Sequence, residues 1–198
     1  MLAAVHTEVM TELDDNPRTA LRLIVSELDA LLPTIDENEL ERLVTAVSDA
    51  ERVFVHGAGR SGLALRMSAM RLMHLGLTAH VVGEVTTPAI GPGDLLLVAS
   101  GSGTTPGIVA AATTAVSVGA RVAIITTARV SPLASLTDTI VIVPAAAKLD
   151  RSGTASEQYA GSLFEQAVGL IGDAVFHTLW KRSARSADDL WPRHANIE

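Results

Sequence analysis

Residues 53–62, VFVHGAGRSG, lead from a short apolar run into Gly57, Gly59 and Gly62, spaced G-x-G-x-x-G. That spacing commits the chain to a strand, a tight turn and a helix lying close against the strand, the opening half of a βαβ unit. Dinucleotide-binding folds use the same turn and need, about 20 residues on, an acid at the end of a second strand for the ribose hydroxyls. The run Ala79–Val82 ends at Gly83-Glu84 and supplies one. The first loop alone therefore leaves two ligands open, a dinucleotide or something smaller.

From Arg52 onward strand and helix alternate. Val53–His56, Ala79–Val82, Leu95–Ala99, Arg121–Thr126 and Thr139–Val143 are the expected strands; Ser61–Leu75, Pro106 to about Val118 and Ser162–Trp180 are the expected helices. Continuous β-branched runs such as VAIIT and TIVIV suit strands buried on both faces, as in a parallel sheet. The expected fold class is α/β: a doubly wound, five-stranded parallel sheet flanked by helices, with extra N-terminal helices. Leu21, Ile24, Val25, Leu28, Leu31 and Leu32 recur at helical spacing and Pro33 ends that helix; Asp36 opens a second, with Glu39 completing a capping box. A single domain is expected over 1–198, divided into N-terminal helices (1–50), an α/β core (51–180) and a charged C-terminal tail (181–198), with Lys148–Gln158 a surface loop.

Composition narrows the function. Apolar residues are 48% of the chain but aromatic residues only 3%, so the core must be built from Ala, Val, Leu and Ile, and such surfaces point to burial in an oligomer. A net charge of −7 argues against a nucleic-acid partner, whose footprint is basic. The absence of cysteine removes disulfides, thiolate catalysis and Cys-ligated metals. His6, His56, His80, His177 and His194 show no metal-binding spacing, and neither Lys148 nor Lys181 has the buried setting of a Schiff-base lysine. The N-terminus lacks the basic start and apolar core of a signal peptide, and Gly119 and Arg121 break the weakly polar stretch 107–128, so a cytoplasmic protein without membrane association is expected.

A second glycine turn is more informative. In LLLVASGSGTTPG, residues 95–107, a strand runs into Ser100-Gly101-Ser102-Gly103-Thr104-Thr105, and Pro106 stands where a helix begins. Free N–H groups and the dipole at a helix start attract an anion. The hydroxyls of Ser100, Ser102, Thr104 and Thr105 add donors suited to a phosphate monoester, although Ser and Thr are also ordinary turn and cap residues. Both turns fall at the carboxyl edge of the sheet, where open α/β folds bind ligands, and a dehydrogenase would need only the first.

With MRLMHLG (70–76), VVGEVTTPAIGPGD (81–94), GSLFEQ (161–166) and RHANIE (193–198), the two loops resemble the sugar isomerase (SIS) domain family and, within it, the 6-phospho-3-hexuloisomerases, over nearly the whole chain. One departure is Gln158-Tyr159-Ala160 ahead of GSLFEQ, where the family usually has Gln-Pro-Met or similar; it alters the pocket rim. The resemblance implies reversible conversion of 3-hexulose 6-phosphate to fructose 6-phosphate through a 2,3-enediolate, the step after hexulose-phosphate synthase in ribulose monophosphate formaldehyde fixation. It also implies a homotetramer with shared active sites and no metal or organic cofactor.

The resemblance assigns the base to Glu165. The residues alone also allow Ser162-x-x-Glu165 to be a capping box. His74 is the candidate proton shuttle or ring-opening group; by helical spacing it shares a face with Leu63, Met67 and Met70 and equally suits a core or an interface. Gly59 and Ser61 would meet sugar hydroxyls at the first turn, and Arg60 either assists or is a solvated charge. Ser100, Ser102 and Thr105 match the family's phosphate positions, and Glu84 with Thr86 and Thr87 would line the site or a subunit contact. Competing readings are an arabinose-5-phosphate or heptose-phosphate isomerase, the dehydrogenase, and a non-catalytic phosphosugar-binding SIS protein. Residues 1–50 carry no basic recognition face of the kind a DNA-bound sensor would need.

Overall fold

Five short apolar runs become five parallel strands because each has apolar residues to offer on both faces. The structure, a computed structural model, describes residues 16–137, 139–146 and 156–197. His6, the N-terminal residues read for a targeting signal and most of the Lys148–Gln158 loop lie outside the described residues. The strands are β1 (Val53–Gly57), β2 (Ala79–Val81), β3 (Leu95–Ala99), β4 (Arg121–Thr126) and β5 (Thr139–Ile142), in the order β2-β1-β3-β4-β5. The helices are α1 (Pro17–Leu31), α2 (Glu37–Ser48), α3 (Gly59–His74), α4 (Pro106–Ser117), α5 (Ser162–Arg182) and α6 (Ala187–Leu190).

Side chains alternate across the sheet, so each strand feeds two cores. Val53, Val55, Leu95, Leu97, Ala123 and Ile125 pack with α2, α3 and α5, and Leu31 of α1 joins them. Phe54, Leu96, Val98, Val122 and Ile124 pack with Ile108, Ala112 and Ala115 of α4. This is the expected doubly wound α/β sheet, and α1 and α2 are the expected N-terminal helices.

Three local expectations need correction. The Asp36 side chain does accept from the Glu39 N–H (3.0 Å), but Glu39 does not answer as a capping box. Its buried carboxylate accepts instead from Arg129 Nη2 (2.8 Å) and the Ile142 N–H (2.7 Å), tying α2 to the end of β5. Helix α3 starts at Gly59 rather than Ser61, the Gly62 N–H reaching back to the Ala58 carbonyl (3.4 Å); Gly59 itself holds a left-handed φ of +57°, open to glycine because it has no Cβ. The tail is also more ordered than its composition suggests. A Ser186–Asp189 capping box starts α6, Leu190 is buried, and Trp191–Arg193 form a 3-10 turn that brings the His194 ring to 4.1 Å from that of His74.

Two histidines make stability depend on pH. Burial holds His56, on β1, below the ordinary 6.5; burial, then the neighbouring His194 and Arg71, do the same for His74. The unfolded chain thus binds protons that the folded chain refuses, and stability falls as pH drops through 6.5 toward the lowered folded values. Calorimetry at pH 7.5 and 5.5 should give the lower Tm at pH 5.5, with a smaller drop for His74→Phe. An equal or higher Tm at pH 5.5 would contradict this.

Candidate functional site

The strand order creates a crevice. From β1 the chain crosses to β2 on one side, whereas from β3 it crosses to β4 on the other, so the loops after β1 and β3 part company at the carboxyl edge. Such a switch point is where open α/β sheets bind ligands. Both glycine turns lie there.

The first turn is built on backbone proximity. A Cβ on Gly62 would lie 2.3 Å from the Gly57 carbonyl oxygen, so α3 can rest on the end of β1 only without a side chain at that position. This seats Ser61, which is buried, in the first turn of α3, and leaves Arg60 largely exposed beside the crevice.

The second turn is held from β4. The Gly101 carbonyl accepts from Thr126 Oγ1 (3.1 Å), Thr127 Oγ1 (2.8 Å) and the Thr127 N–H (3.0 Å). Because a trans peptide sets C=O and N–H in opposite directions, the Ser102 N–H points away from the end of β4. The N–H groups of Gly101, Ser102, Thr105 and Gly107 donate to no acceptor among the described residues. Ser100 Oγ lies 3.0 Å from Thr105 Oγ1, and Thr104 Oγ1 is 2.8 Å from Ser102 Oγ, so the four hydroxyls form two pairs around the start of α4. Free donors, rotatable hydroxyls and a helix start with Pro106 in its first turn are a donor set of the kind that suits a phosphate.

Glu165 joins the two turns. Arg60 Nε donates to Glu165 Oε2 at 2.7 Å, across 105 residues of sequence. Phe164, its neighbour, packs beside Gly101 of the second turn. The capping-box alternative is not realised: Gly161 is the N-cap without a side-chain bond, and the Ser162 hydroxyl donates backward to the Tyr159 carbonyl (2.8 Å). The Glu165 carboxylate, 23% exposed, is therefore free of the helix cap and stands at the mouth of the crevice.

His74 is not brought to this place within the chain. It ends the helix that carries Arg60 in its first turn, fourteen residues or roughly 21 Å further along α3. Its ring is buried beneath His194, and its Nδ1 has no partner among the described residues. Leu63, Met67 and Met70, the residues expected to share its face, are exposed. Glu84, the acid that a dinucleotide would require, is paired with Arg66 of α3 (2.6 Å). Grooves of about 370 and 450 Å³ lie at the amino edge of the sheet, one lined by Thr45, Leu75 and Arg185 and the other by Asn38, Arg42 and Arg121. Neither contains the unpaired backbone N–H groups of the second glycine turn.

Sequence reasoning missed Thr126 and Thr127, which anchor the second turn; two hydroxyl residues closing the apolar run 122–125 were the available signal. It also missed the pairing of Arg60 with Glu165, for which no local signal exists.

The SIS domain profile matches residues 46–159. The 3-hexulose-6-phosphate isomerase of Mycobacterium gastri is 53% identical over 184 residues, covering 93% of this chain and 92% of that protein. The 3-hexulose-6-phosphate isomerase of Bacillus subtilis is 36% identical, over 88% of this chain and 95% of its own. Among solved structures, a hypothetical protein from Methanococcus jannaschii, for which a molecular function of 3-hexulose-6-phosphate isomerase was inferred, superposes with a TM-score of 0.77 at 28% identity, over 90% of this chain and 99% of its own.

Proposed function

The chain belongs to the SIS domain family, and from that premise we propose that it is a 3-hexulose-6-phosphate isomerase interconverting 3-hexulose 6-phosphate and fructose 6-phosphate. The observation that carries the mechanism is a Glu165 carboxylate that takes no part in the helix cap and stands, paired with Arg60, beside a phosphate cradle. Free N–H groups and the hydroxyls of Ser100, Ser102, Thr104 and Thr105 take the phosphate, while Gly59 and Ser61 meet the sugar. Glu165 removes the C2 proton of the hexulose. That electron pair forms the C2=C3 bond and the C3 carbonyl becomes an alkoxide. A proton passes from O2 to O3, C2 becomes the carbonyl, and the proton held by Glu165 returns at C3. Arg60 orients the carboxylate and faces the developing enediolate charge.

Because roughly 21 Å of helix separates His74 from the site in its own chain, its part in the hydroxyl proton transfer would be played in the site of a neighbouring copy, with the His194 ring displaced from over it. The exposed row Leu63, Met67 and Met70 is the surface on which copies of the chain meet, giving a homotetramer with shared sites. This reading places the protein in the cytoplasm, downstream of a hexulose-phosphate synthase in formaldehyde fixation. Among the described residues no helix is long and apolar enough to cross a membrane.

Proton NMR of fructose 6-phosphate in deuterated water tests the reaction. The C3 signal should disappear with the protein present. Exchange at C1 would mean an aldose–ketose isomerase. No exchange, together with no turnover in a coupled assay from formaldehyde and ribulose 5-phosphate, would overturn the isomerase.

A further inference from the structure

Glu27 lies on α1, outside the matched SIS residues, and has no counterpart in the chemistry above. Its carboxylate gathers donors from three successive residues on the far side of the sequence. Oε1 accepts from the Glu157 N–H (2.7 Å), and Oε2 accepts from Ser156 Oγ (2.7 Å) and Gln158 Nε2 (2.8 Å). These distances are those of charge-assisted hydrogen bonds, which are about twice as strong as neutral ones. They also hold the Glu27 carboxyl below its ordinary pKa against the opposing effect of burial.

The chain of contacts continues toward the site. Gln158 Oε1 accepts from Gln166 Nε2 (2.8 Å), and Gln166 follows Glu165 in the first turn of α5. Between them the backbone turns through a left-handed Ala160 (φ 53°), a conformation that a non-glycine residue holds only when its surroundings impose it. The bonds that impose it come from both ends: Glu27 on residues 156–158, and Ser162 Oγ on the Tyr159 carbonyl. Leu28 and Leu31, packed into the core beside Glu27, keep α1 itself in place.

We propose that Glu27 is a positioning residue for the isomerase site. From α1 it clamps Ser156–Gln158, and so fixes the path by which the rim enters the helix bearing Glu165. It touches no substrate; it acts by holding the rim and the Gln158–Gln166 link in one geometry. The activity part of this inference rests on the isomerase reading, whereas the clamp itself does not.

Tyr159, 91% exposed and the chain's single tyrosine, supplies a readout independent of function. In Glu27→Ala, chymotryptic cleavage after Tyr159, followed by mass spectrometry, should quicken by roughly tenfold, the effect of losing charge-assisted bonds worth one decade of equilibrium. KM for the hexulose phosphate should rise by a similar factor with kcat changed less than about twofold. The exchange Glu27→Gln with Gln158→Glu puts the carboxylate on the other partner, where it can accept both from the new amide on α1 and from Gln166 Nε2, and should recover part of the wild-type cleavage rate and KM, the Ser156 and Glu157 donors then meeting a neutral amide oxygen. Should Glu27→Ala fail to fold, Glu27→Gln carries the same comparison with the double variant. Equal cleavage of single variant and wild type, or no recovery in the exchange, overturns the clamp. A loss of activity that merely tracks a fall in Tm overturns the positioning role. A wild-type protein without isomerase activity defeats the functional reading instead, and the cleavage comparison still decides the clamp.

Discussion

Glu165→Gln should lower turnover of the hexulose phosphate by roughly 10³-fold, the usual worth of a positioned acid–base group, and change substrate KM by less than about threefold. The amide keeps the shape of the side chain and an oxygen that can still accept from Arg60, but it cannot take a proton from carbon. Single-turnover kinetics and C3 exchange would measure the chemical step directly. Stability should barely move, because the carboxylate takes no part in capping α5. An Arg–carboxylate pair with one exposed partner is worth at most about 1 kcal/mol, or about 2–4 °C of Tm in a chain of this size. A variant that loses activity and thermal stability together would return Glu165 to the role of a helix cap.

Gly62→Ala should produce the largest loss of stability. The new methyl carbon would meet the Gly57 carbonyl oxygen at 2.3 Å and its carbon at 2.8 Å. Both are backbone atoms, so no rotamer relieves the contact, and α3 must move off β1. A cost of about 3 kcal/mol is expected, which lowers Tm by about 10 °C. Gly59→Ala makes the comparison informative. Among the described residues it has nothing within 4 Å of its Cβ position and carries only the left-handed φ of +57°, worth about 1 kcal/mol. Thermal melts in which Gly59→Ala equals or exceeds Gly62→Ala would show that strand and helix do not approach as closely as described.

The sheet was legible because its signal is local: short apolar runs, β-branched in β4 and β5, are each followed by turn chemistry. The two glycine turns were legible for the same reason. The role of Ser162 and Glu165 was not, since a capping box and a free carboxylate share one spacing. What separates them is the backbone path through Ala160 and Gly161, which no periodicity records. His74 shows a different limit. Counting turns placed it on a face with Leu63, Met67 and Met70, yet its height along α3 and the folded tail above it decide what it can touch. A helix of four residues, as in α6, is too short for a repeat to show. Glu39 and Glu27 find their partners about a hundred or more residues away, so tertiary packing assigns them.

The thioethers on α3 determine how this protein would age in the presence of peroxide. With no cysteine in the chain, sulfur oxidation falls on five methionines, and three of them, Met67, Met70 and Met73, stand along one partly exposed helix. Each sulfoxide replaces a soft apolar contact with a polar, chiral one. Oxidant damage would thus be recorded on the surface where copies are proposed to meet while the sheet stays intact, and the sulfoxide content of that helix would report how much of the protein stood alone when the oxidant arrived.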